Sequence, residues 1–225
     1  MAAKKRAIPE VDYSQLHSLS SVVLYDTARK KIKRGKLYEV ERIIERRKTK
    51  YQDYEYLIKW RGWPLQDSTW EPSENLPEAL IRGYEKPPKP SEERLQDAGF
   101  HFATAVLSAL KSSSVAPFYV NMELDVWRYL SHKKGVACEH RGHVLYSKHD
   151  FSRFTTLPEH WWYYLDVHGE GKAVDFPIKI KPLLTWSPVH YVRKAGKLAK
   201  ASQFPMEKLC VSMVKYACDI NNLNF

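Results

Sequence analysis

Residues 54–61 carry the clearest pattern in the chain. Tyr54, Tyr56, Ile58 and Trp60 alternate with Glu55, Leu57, Lys59 and Arg61. A period of two marks a half-buried β-strand. Before it, Tyr38 to Glu45 mixes β-branched and charged residues and reads as another strand, with a polar turn at Tyr51–Asp53. After it, Gly62-Trp63-Pro64 breaks the pattern, and Ser68-Thr69-Trp70-Glu71 reads as a third short strand stopped by Pro72. Pro77 suits the first position of a helix and Glu78 its positive end, with Leu80, Ile81 and Tyr84 as the apolar stripe. The pattern predicts a three-stranded antiparallel sheet closed by a C-terminal helix over residues 37–86.

The pattern changes on either side. Residues 1–36 read as a basic flexible arm with one or two helical turns near 18–31. Residues 87–94 are a proline-rich linker in which Ser91 suits a helix N-cap, with Glu92 and Glu93 behind it. Leu95, Ala98, Phe102, Val106 and Leu110 then fall at helical spacing. Val115–Val120 and Ala173–Leu184 read as strands. Residues 205–220 place Leu209, Met213 and Tyr216 on one side and read as a helix. Residues 99–225 hold 19 of the chain's 29 aromatic residues, a load that a disordered tail does not carry. Residues 95–225 therefore predict a second α+β domain of unknown fold, and the chain as a whole is α+β.

Composition narrows the function. Of 225 residues 44% are hydrophobic and 28% charged, which are globular values. No apolar run approaches the roughly 20 residues of a membrane span, and no apolar stretch follows the basic start as in a secretory signal. Cys138, Cys210 and Cys218 are too few and scattered for a disulfide framework, which points to cytosol or nucleus. The net charge is +10, and it is uneven: residues 1–36 hold nine basic and three acidic side chains, residues 37–86 nine and ten, residues 99–225 sixteen and ten. Two basic ends around a neutral middle make nucleic acid a candidate partner. The candidate contacts are Lys30, Lys31, Lys33 and Arg34 in the arm, and Arg193, Lys194 and Lys197 in the second domain, the latter run read alternatively as a solvated helix face. The basic clusters also read as nuclear-import signals.

Tyr38, Trp60 and Trp63 lie at the start of the first strand, the end of the second and the turn beyond, positions that converge at one end of a three-stranded meander. Three aromatic faces at right angles suit a quaternary ammonium, each cation–π contact contributing about 0.5–2 kcal/mol. From the spacing alone the same rings read first as core material, since aromatics dominate small cores.

The strings LYEVERIIERR, YEYLIKWRGWP, STWEPSENL and ALIRGYE resemble the chromodomain family over residues 37–86. The resemblance implies that Tyr38, Trp60 and Trp63 form a cage for a methylated lysine of a histone H3 tail, with Asp67 as the acidic residue beside it. It further implies that the peptide enters as a strand between residues 36–40 and 73–77. Val40 lies in the first segment, Asn75 meets the peptide backbone, and Leu37 and Leu76-Pro77 form the clasp. Trp63 and the apolar clasp lean towards Polycomb-type rather than heterochromatin-protein-type chromodomains. The step from Leu76 to the helix is about one residue shorter than usual in the family. Trp70, Val40, Ile43, Leu57, Ile58, Leu80 and Ile81 are core candidates.

No enzyme motif is legible. GxxxxGK[ST] and GxSxG are absent, and a SET methyltransferase needs more cysteines. Cys138, His140 and His143 have zinc-ligand chemistry, but they crowd together without a second pair, so no metal or cofactor is expected. Trp161-Trp162-Tyr163-Tyr164 reads as a buried strand. The sequence therefore predicts a nuclear, non-enzymatic chromatin reader of gene repression or heterochromatin, whose second domain recruits a partner or dimerises. The alternative is a nucleic-acid-binding chromatin or transposon-derived protein with a degenerate chromodomain.

Overall fold

The structure, a computed structural model, describes residues 22–24, 37–194 and 196–223. The first unit is an antiparallel sheet of β1 (Val22–Leu24), β2 (Leu37–Lys48), β3 (Tyr54–Trp60) and β4 (Thr69–Pro72), in that order, followed by α1 (Glu78–Glu85). The β3 alternation places Tyr56, Ile58 and Trp60 in one buried cluster with Val40, Ile43 and Leu76, while Leu57 on the opposite face is buried as well. Leu80, Ile81 and Tyr84 of α1 pack on that cluster as its apolar stripe requires. Register shifts interrupt the β2–β3 pairing between Val40 and Arg42 and between Ile43 and Glu45. Bulges re-aim side chains, and here consecutive Ile43 and Ile44 are both buried. The strand β1 falls inside the segment read as helical turns; the rest of residues 18–31 lies outside the described residues.

The second unit begins at α2 (Glu92–Lys111), where the Arg94 N–H donates to Ser91 Oγ at 3.5 Å as the N-cap reading requires. There follow β5 (Phe118–Asn121), α3 (Leu124–Ser131), β6 (Val136–Ala137), β7 (Val144–Tyr146), β8 (Tyr163–Leu165), β9 (Glu170–Trp186), β10 (Tyr191–Lys194), β11 (Lys197–Lys200) and β12 (Pro205–Asp219). A six-stranded sheet runs β5-β12-β9-β7-β6, with β8 also on β9, and β10-β11 form a separate two-stranded ribbon. The face of α2 bearing Leu95, Ala98, Phe102, Val106 and Leu110 is buried in the core, together with Ile178, Ile180, Leu209 and Val211 of the sheet. Phe102 stands 5.3 Å from each of Phe151, Phe154 and Trp161, which explains the aromatic load of this half.

Three expectations are corrected. Residues 205–219 form a strand, not a helix: Leu209 and Val211 point to the core while Lys208, Cys210 and Ser212 point away, and β12 is paired on both edges. Leu209 and Met213 satisfy both periods, so the apolar set alone left the choice open. The basic run around Arg193 is a β-hairpin rather than a helix face, turned at Gly196 with φ +78°. Trp161 and Trp162 are buried as expected, but in the turn that precedes β8.

The two units are docked. Arg42 of β2 has a side chain only 9% exposed, and it bonds both carboxylate oxygens of Glu207 on β12, with Asp125 at 3.1 Å and Glu123 at 3.4 Å. Burial alone lowers its pKa, but the Glu207 bond and the three negative charges outweigh this and hold it above the ordinary guanidinium value. Arg128 of α3 donates to the carbonyls of Ile43 and Ile44 and stacks 4.1 Å over Tyr84. Burial dominates at Arg128 and pulls its pKa down.

Candidate functional site

The aromatic site is built by three consecutive local devices. Trp60 ends β3, its neighbour Arg61 still donating from its amide to Glu39 O at 2.9 Å, which keeps the start of β2 alongside. Gly62, at φ +75°, reverses the chain, and the Trp63 amide donates back to Trp60 O at 3.3 Å. Pro64 then caps a single 3-10 turn, Leu65–Asp67, which brings Asp67 round to the same end of the sheet.

Tyr38, Trp60, Trp63, Asp67 and Thr69 line one cavity of about 240 Å³. The Tyr38 ring centroid lies 6.1 Å from Trp60 and 5.9 Å from Trp63, each pair inclined at 62°. Trp60 is the buried wall at 6% exposure, and Trp63 is the outer wall at 47%. The Trp60 indole N–H donates to Thr69 Oγ at 3.1 Å, and that hydroxyl donates to the buried Glu71 carboxylate at 2.5 Å. This chain fixes the plane of the indole ring. Asp67 is exposed at the rim. Two inclined π faces around a central ring, with one carboxylate beside them, attract a soft cation and offer it few hydrogen-bond acceptors.

The remaining sequence candidates fall into three places. Val40 and Leu76 are core residues, 1% and 7% exposed. Asn75 is half-buried at the end of the 3-10 turn Ser73–Asn75. Leu37 is the first residue of β2, and Leu24, Val23 and Val22 of β1 pair with Leu37, Tyr38 and Glu39. Arg193 and Lys194 on β10 and Lys197 on β11 are not among the residues lining this cavity. Lys30, Lys31, Lys33 and Arg34 lie outside the described residues. Among the described residues no three His, Cys, Asp or Glu side chains could hold one metal ion, although Cys138 Sγ approaches His140 Nδ1 to 3.7 Å.

The cavity has a supporting position that the sequence reading did not single out. Thr69 lines the cavity and holds the Trp60 ring; the only available signal was its place opposite Ile58 at the head of the third strand. Glu71 is the buried acceptor behind it. Trp70, expected in the core, is half-buried and stacked 4.1 Å under the Arg47 guanidinium instead.

Residues 38–86 match the family of the Chromo (CHRromatin Organisation MOdifier) domain. Mouse Chromodomain Y-like protein 2 is 52% identical over 42 residues, 19% of this chain and 8% of that protein. Drosophila melanogaster Heterochromatin protein 1 is 46% identical over 57 residues, 25% of this chain and 27% of its own length. Mouse Chromobox protein homolog 6 is 44% identical over 52 residues, 23% and 12% of the two chains. The likeness thus spans a small part of each relative, and the C-terminal region has no family match. Sheet, closing helix and matched sequence coincide in one segment: residues 38–86 are a chromodomain.

Proposed function

We propose that this chain is a non-enzymatic chromatin reader that holds a methylated lysine of the histone H3 tail between Tyr38, Trp60 and Trp63. The observation that carries the reading is the inclined pair of rings around Tyr38, with Asp67 at the rim of the same cavity. An unmodified ammonium is strongly hydrated and loses its acceptors in such a site. A trimethylated one has no proton to donate, and its charge meets π faces. The peptide backbone adds as a strand beside the start of β2 and is closed over by residues 73–77, which supplies affinity, while the cage supplies the methyl test. Nuclear localisation and a role in repression or heterochromatin follow from this reading, with the second unit recruiting a partner or a second copy.

The test is a fluorescence titration of the full chain with H3 peptides, unmodified and trimethylated at each Ala-Arg-Lys-Ser site. The full chain is needed because a chromodomain fragment strips Arg42 of its carboxylate partners. One trimethylated peptide binds, its unmodified twin does not, and Trp63→Ala weakens binding at least about tenfold, the factor carried by 1.4 kcal/mol of lost cation–π attraction. Trp63 is the right probe because it is half-exposed and its removal leaves the core intact. Equal binding of methylated and unmodified peptides, or full affinity in Trp63→Ala, overturns the assignment.

A further inference from the structure

The basic excess of the second unit is concentrated in one arm. Between Phe176 and Met206 there are six Lys or Arg residues and no Asp or Glu. Structurally this stretch is the distal part of β9, the β10–β11 ribbon and the start of β12. The ribbon continues the β9–β12 ladder: Trp186 pairs with Pro205, the Ser187 amide donates to Phe204 O at 2.9 Å, and the Ala201 amide donates to His190 O at 2.9 Å. On the sheet, Ile178, Ile180 and Leu209 face the core, so Lys179, Lys181 and Lys208, each one step along, face outward. On the ribbon, Tyr191 is opposite Lys200 and Arg193 opposite Leu198. Directly opposed residues share a face of an antiparallel pair, so one face of the ribbon carries two cations with a tyrosine and a leucine, 65% and 72% exposed.

Several cations of the chromodomain and its junction with α2 are paired. Arg42, Arg47, Lys59, Arg61 and Arg94 each sit against a carboxylate. Among the described residues, Lys179, Lys181, Arg193, Lys197, Lys200 and Lys208 have no ion-pair partner within 4.0 Å. An arm of uncompensated positive charge with exposed apolar side chains at its end calls for a polyanion that also offers apolar surface.

We propose that the β9–β12 arm and its β10–β11 ribbon form a binding surface for double-stranded DNA, separate from the aromatic cage. A two-stranded ribbon fits the major groove, which is about 12 Å wide, and lysines along the arm meet the flanking phosphates. The exposed faces of Tyr191 and Leu198 lie against sugars and base edges. A single strand would ask for a row of stacking rings, and this ribbon face carries a single ring, Tyr191. The surface does not depend on the reader assignment, and a chain with a failed cage would still bind DNA through it.

The experiment is fluorescence anisotropy of the full chain with a labelled short duplex over a range of salt. The parent is compared with the triple variant Arg193→Ala/Lys197→Ala/Lys200→Ala and with the control Lys50→Ala/Lys86→Ala/Lys89→Ala, which removes the same charge elsewhere. Melting curves establish that both variants are folded. The ribbon variant loses at least tenfold in duplex affinity, and its log–log salt slope flattens by about 0.9 for each phosphate contact removed, while the control changes neither by as much. Trimethylated-peptide binding is unchanged in the ribbon variant. Equal effects of the two triple variants, tighter binding of the single strand than of the duplex, or efficient competition by polyglutamate overturns the proposal.

Discussion

Trp60 and Trp63 stand three positions apart and do different work. Trp60 is a core side chain with one face turned to the cavity; Trp63 is a surface wall. Trp60→Ala removes a buried indole and takes away the N–H that donates to the Thr69 hydroxyl. Loss of a large buried ring costs about 3–5 kcal/mol, so the denaturation midpoint of Trp60→Ala falls steeply, whereas that of Trp63→Ala moves little. Comparable midpoints for the two variants would show that Trp60 is not packed as described. At this scale the ring positions were legible through the resemblance to the chromodomain family, since from spacing alone the same rings read as core. The division of labour between the two tryptophans was not legible, since it depends on which indole edge reaches Thr69.

At the scale of elements, β1 has a mechanical consequence. It pairs with Leu37, Tyr38 and Glu39, the edge of β2 along which a ligand strand would add. A strand edge accepts one partner, so a bound peptide must displace β1. A chain lacking residues 1–24 therefore binds the trimethylated peptide several-fold more tightly than the full chain in the same titration; unchanged affinity would mean that β1 pairing has no energetic weight. Helix and strand periods were readable where only one of them fitted, as in β3 and α2. They failed in β12, where Leu209 and Met213 fit a helix and Leu209 and Val211 fit a strand, and pairing with β5 and β9 decided.

For the whole molecule, the feature that matters is Glu207. Its carboxylate takes Arg42 from the chromodomain and also accepts the Leu124 amide at 2.7 Å, at the start of α3. Removing one member of a buried ion pair strands the other; such losses run to about 3–5 kcal/mol. Asp125 and Glu123 remain near Arg42 and soften the effect. Glu207→Ala is expected to lower stability by about 2–4 kcal/mol in denaturant unfolding and to speed hydrogen exchange in β2, while leaving the cage residues in place. A variant with parental stability and exchange would show that the docking contributes nothing to the fold. The proline-rich linker therefore joins two units that are locked by charge.

The sequence by itself determined the three strands and closing helix of residues 37–86, because an alternating strand, a glycine–proline turn and a helix start are local signals, and its motif strings carried the resemblance to the chromodomain family. Tertiary structure alone decided the strand character of residues 205–219, the burial of Arg42 against Glu207 and the outward face of the basic arm. The physical reason is distance along the chain. Arg42 and Glu207 are 165 positions apart, and neither residue type nor period reveals a partner that only the folded sheet brings within a hydrogen bond.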